Sequence, residues 1–145
     1  MNEHPLDLHP ELCVDFAEAY TSAAYMDAAH AREAAAEEEI DAATSNMEAV
    51  KADKLFKLSY ARYITSSKHL KKDRSPAAIS HTIEAAIRAR RLRVKAQRLK
   101  RLANFLRKEA DGASKWAAQL STSVESSFNT VFSGNKARLL YKDVL

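Results

Sequence analysis

Between residues 88 and 108 the chain carries ten lysines or arginines and no carboxylate: Arg88, Arg90, Arg91, Arg93, Lys95, Arg98, Lys100, Arg101, Arg107 and Lys108. Seven of the ten are arginine, whose planar fork matches a phosphate and whose face stacks on bases. Lys68, Lys71, Lys72 and Arg74 add cations just upstream. Like charges at helical i,i+4 spacing oppose the helix that carries them, so such a run calls for an external or internal counter-charge. Three sources fit: the phosphates of a nucleic acid, an acidic segment of the same or another subunit (Glu33, Glu37, Glu38, Glu39 and Asp41), or an anionic membrane surface. They are not mutually exclusive. The candidate nucleic-acid contacts are Lys68, Lys71, Lys72, Arg74, Arg88, Arg90, Arg91, Arg93, Lys95, Arg98, Lys100 and Arg101.

Other reactive residue types form no comparable constellation. Tyr60 and Tyr63 lie close to the upstream cations and suit either base stacking or packing. His4, His9, His30, His69 and His81 show no spacing expected of metal ligands. Cys13 reads as a small apolar residue of an early helical turn rather than a nucleophile. Glu37, Glu38 and Glu39 read as a solvated face or as partners for arginine, because paired catalytic carboxylates need a cleft that thin helices do not offer. The sequence gives no support for an enzyme, a metal site or a cofactor.

The elements that position these cations are helices. Ala85, Ala89, Leu92, Ala96, Leu99, Ala103, Leu106, Ala110, Ala113, Ala117, Leu120 and Val124 alternate four and three apart, a heptad pattern. Alanine on one row admits a close neighbour, and leucine on the other fills a groove. Ile79, Ile83, Ile87 and Val94 fall mostly off this seam and predict a second contact surface. Upstream, Ala28, Ala35, Ala42, Ala49, Phe56 and Tyr63 recur every seven residues, with Ala24, Ala31 and Ala52 beside them. A second apolar row holds Ile40, Ala43, Met47, Val50 and Leu58. Two glycines and three prolines leave little to interrupt a helix.

The expected architecture is all-α: a long antiparallel helical hairpin or coiled coil with an Ala/Leu heptad seam. A helical hairpin domain over 1–125 comprises helices at about 11–70 and 76–125 joined by a turn at 71–75, and 126–145 form a C-terminal extension. Ser75 is the expected N-cap and Pro76 the first helical residue. The weak helix formers Thr44, Ser45 and Asn46 mark a candidate break. Gly112 is expected to be carried within a continuous or slightly kinked helix. Alanine buries little area, which favours homo-oligomerisation.

Charge is divided along the chain. Residues 1–50 sum to −11 and residues 51–145 to +15, giving the net +4. Folded antiparallel or paired between subunits, the halves attract, and the excess can hold a polyanion. A single cysteine excludes an internal disulfide and fits a reducing compartment. No secretory leader pattern opens the sequence, and no run is long enough to span a bilayer. The expectation is a cytoplasmic protein without a membrane partner.

Arg74-Ser75-Pro76, leading into Ile79-Ser80-His81-Thr82-Ile83-Glu84-Ala85-Ala86-Ile87, resembles the turn and helix opening of small phage recombination-mediator proteins of the UvsY-like type. The two-helix layout over about 11–125 resembles theirs as well. Arg88 to Arg93 depart from the more acidic continuation of that family. The resemblance implies a ring-forming oligomer in the host-cell cytoplasm that binds single-stranded DNA. It also implies help in loading a RecA-like recombinase onto DNA coated by single-strand-binding protein. The residues alone leave two alternatives: a structural helical assembly protein of a phage particle (scaffold, internal core or neck component), and a helical inhibitor or adaptor that uses the acidic first fifty residues.

Overall fold

The computed structural model describes the backbone of residues 10–144 and the side chains of residues 22–126 and 129. The described chain forms two long helices, α1 (Pro10–His69) and α2 (Pro76–Val144), with no strand among the described residues. Proline at the head of each helix lacks only an N–H that would have no intrahelical acceptor.

Hydrogen bonds order the connection between them. At the end of α1, Leu70 N–H donates to the Ser66 carbonyl (3.0 Å), and Lys72 and Asp73 N–H both donate to that of His69 (3.0 Å each). These bonds satisfy carbonyls that a helix end otherwise leaves open. Ser75 caps α2 as its sequence position predicts: its hydroxyl accepts from Ala78 N–H at 3.3 Å and its carbonyl from Ile79 N–H at 3.0 Å. Asp73 accepts from Ser75 N–H at 2.9 Å, which orders the residue that does the capping.

Two sequence expectations are corrected here. Thr44, Ser45 and Asn46 do not break α1, and α2 does not end near residue 125 but continues to Val144. In each case packing outweighs intrinsic propensity. Ser45 is buried beside Ala42 and Ala49, and Val124 is buried in the Ser/Thr-rich stretch. The Thr122 hydroxyl there returns to the helix, donating to the Ala118 carbonyl at 3.0 Å. Gly112 lies inside α2 without a positive φ.

The chain divides into two compact units, one of Glu37–Asp111 and one of the flanking segments up to Ala36 and from Gly112. In the flanking unit Ala28 and Ala35 of α1 and Ala117 and Val124 of α2 are buried. In Glu37–Asp111 the helices run side by side and antiparallel about the turn. Ala42, Ser45, Ala49, Ala52 and Ser59 of α1 are buried, as are Thr82, Ala89, Ala96, Ala103 and Ala110 of α2. Nothing larger than threonine is buried in this unit.

The larger apolar residues lie further out. Leu92, Leu99 and Leu106 are half-buried at the edge of the helix pair. Ile40, Met47, Val50 and Leu58 on α1, and Ile79, Ile83, Ile87, Val94, Leu102 and Phe105 on α2, are exposed. Small side chains let the helix backbones approach closely, so a long side chain between them would be excluded on volume alone.

Candidate nucleic-acid interface

All twelve cations singled out by the sequence are exposed. Lys68 sits in the last turn of α1, Lys71, Lys72 and Arg74 in the connection, and the other eight on α2. Among the described residues, none of the twelve has a carboxylate oxygen within 4 Å. Of the ten cations at 88–108, Arg107 is the one that pairs among the described residues, with Glu39 at 2.6 Å and Asp111 at 3.9 Å. Its guanidinium is held above its ordinary pKa, first by the hydrogen bond to Glu39 and then by that carboxylate's charge. Within Glu37–Asp111, the acidic group Glu37, Glu38, Glu39 and Asp41 therefore neutralises one arginine of the basic helix.

The structure adds cations that the sequence reading did not include. Lys54 and Lys57 of α1 line one groove with Arg93 and Lys100 of α2, enclosing about 540 Å³. Asn46, Gln97 and Asn104 contribute amides to its walls, Val50 and half-buried Phe56 apolar surface, and Ala49, Ala96 and Ala103 short side chains. Asp53 is its one acid and pairs with Lys57 at 2.9 Å. The spacing held a signal: Asn46, Val50, Asp53 and Lys57 step four, three, four along α1, as do Arg93, Gln97, Lys100 and Asn104 along α2. Each set is one flank of its helix, but only the pairing register makes the two flanks face one groove.

A second groove has different chemistry. Leu55, Leu92 and Leu99 dominate it, with Glu48, Lys51 and Lys95 at its margins and about 320 Å³ enclosed.

Near the turn, Tyr60 lies between Phe56 (ring centroids 5.9 Å apart) and Tyr63 (6.1 Å) on α1, in tilted contacts. Tyr60 is exposed, whereas Tyr63 is half-buried. His69 and His81 share a smaller cleft with Thr65, Ser66 and Thr82, and His69 lies 3.9 Å from Asp73. Asp73 is held below its ordinary pKa, chiefly by the backbone N–H of Ser75, then by that residue's hydroxyl and by His69. No group of three His, Cys, Asp or Glu residues among those described could hold a metal ion. His4, His9 and the Cys13 side chain lie outside the described residues. Among the described residues, no helix is long and apolar enough to cross a membrane.

No protein-family model, curated protein or solved structure matches the chain.

Proposed function

We propose that this chain is an oligomeric, sequence-independent single-stranded nucleic-acid-binding accessory protein. The observation that carries the reading is the set of twelve exposed cations with no carboxylate partner among the described residues, beside an arginine that does pair. Unpaired surface cations at this density hold mobile counterions. A phosphate chain gains free energy by releasing them, so affinity must fall steeply with salt. The described residues form helices without a strand, and the reading puts the contacts chiefly on the phosphate backbone and stacked base faces. The resemblance of residues 74–87 to UvsY-like mediators extends the proposal to a role: assisting a RecA-like recombinase onto strands covered by single-strand-binding protein. The proposal includes a cytoplasmic setting and a coiled-coil assembly of several copies, in which the alanine row is buried within each chain and the half-buried leucines at its edge meet a neighbour.

A second reading is a structural helical assembly protein of a phage particle. It is favoured by the many large apolar residues left exposed outside the small-residue interior, a pattern that calls for cover. Fluorescence anisotropy with a labelled single-stranded oligonucleotide across a salt series, with an equal-length duplex as control, separates the two. The first reading expects tight, salt-steep binding that prefers the single strand. Absence of binding at low salt overturns it in favour of assembly alone.

A further inference from the structure

We infer that the groove lined by Lys54, Lys57, Arg93 and Lys100 is the track of the nucleic-acid strand, holding its phosphates along both walls and one base against Phe56. The inference rests on the nucleic-acid reading above and specifies the site within it.

Four observations converge on this groove. Its cations come two from each helix, so a strand lying between the helices meets positive charge on both sides. Against them stands Asp53 alone, and its pairing with Lys57 leaves Lys54, Arg93 and Lys100 as the groove's unpaired cations among the described residues. The floor is alanine while the walls are long polar side chains, so the concavity follows from residue size. Three amides are interleaved with the cations, and each can donate to phosphate or accept from a base edge. The leucine-lined groove has two cations, one acid and three leucines, and so lacks the charge to hold a polyanion. From Arg93 to Asn104 the helix rises about 16 Å at ~1.5 Å per residue. That length matches about five phosphates of a stacked strand at ~3.4 Å each. Phe56, half-buried and tilted against Tyr60, lines the same groove, and stacking on an aromatic tolerates every base.

The test uses the full chain and a labelled oligothymidylate in a salt series. Lys54→Glu with Lys100→Glu reverses two groove cations. Arg91→Glu with Arg98→Glu makes the same change in net charge at exposed positions outside the groove lining. The groove pair is expected to lower affinity at least about tenfold more than the outside pair and to flatten the log–log salt slope by roughly 1.4, about 0.7 per lost phosphate contact. Asp53→Asn removes the groove's acid and releases Lys57, and is expected to tighten binding about two- to fivefold. Photocrosslinking from a thiothymidine-substituted strand is expected to label the peptide containing Phe56. Equal losses from the two charge-reversed pairs, with no gain from Asp53→Asn, overturn the groove while leaving the nucleic-acid reading standing. Absence of binding by the unmodified chain overturns both. Circular dichroism of each variant separates lost contacts from lost fold.

Discussion

Arg107 Nη1 lies 2.6 Å from Glu39 Oε1, and among the described residues no other ion pair joins α1 to α2. Both side chains remain about half exposed, so water screens the pair and its contribution to stability is small. Its larger consequence is for charge: it withdraws one arginine from the basic helix. Glu39→Gln should leave helix content and melting temperature almost unchanged. If the basic helix binds a strand, the freed Arg107 should tighten binding and steepen the salt slope by up to about 0.7. A lower affinity for this variant would show that Glu39 is needed to hold the binding surface in shape.

The interior of Glu37–Asp111 is a contact of small residues, which reverses the usual direction of mutational risk. Ala42 is 1% and Ala103 5% exposed. Ala42→Leu or Ala103→Leu inserts a larger side chain at a buried small-residue position, and either should cost about 1–3 kcal/mol. Urea denaturation followed by circular dichroism measures this. An unchanged midpoint would mean that the helices can separate at that point without loss.

Much of this arrangement was legible in the residues. Ser75 and Pro76 marked the start of α2 because cap chemistry is local, and the alanine rows marked the buried stripe because period seven needs no tertiary information. The half-exposure of Leu92, Leu99 and Leu106 was not legible. A leucine at seam spacing reads as core, yet the residues buried on α1 are Ala42, Ser45, Ala49, Ala52 and Ser59, and this small-residue interior leaves the leucines at its edge. The continuation of α2 past residue 125 was not legible, because the apolar seam ends at Val124 and the serines and threonines around it are weak helix formers. The groove escaped because Lys54 and Lys57 sit some forty residues from Arg93 and Lys100, and only the register of the pair brings them together.

Gly112 is a test of local cost. A Cβ built there meets nothing within 4 Å, and the residue lies within α2 without a positive φ. Gly112→Ala should therefore stabilise the chain by about 1 kcal/mol, the difference in helix propensity. Thermal melting checks it. A loss of stability would show that this position needs the backbone freedom that glycine confers.

Asp73 links the turn to pH. Its pKa is lowered in the folded chain, so the carboxylate form is the one the fold favours. The stability it contributes is present above its ordinary value of 3.8 and disappears as pH falls through the lower folded value. Asp73→Asn removes that titration. The variant's melting temperature should be lower than the unmodified chain's at neutral pH, and the gap should close as pH falls below about 3.8. A constant gap across the acid range would mean that Asp73 acts through shape alone.

The leucine-lined groove bears on self-association. Leu99 is half-buried and Leu55 is 54% exposed, so this face retains apolar surface that the chain's own helices do not cover. A second copy meeting it would bury those leucines in a dry contact, where a carboxylate is costly unless paired. Leu99→Asp should preserve helix content, because the side chain reaches water in the single chain, yet reduce the assembled mass seen by light scattering. Unchanged mass with unchanged helicity would exclude this face as the contact between copies. Collapse of helicity would instead place Leu99 in the core of the single chain, despite its partial exposure.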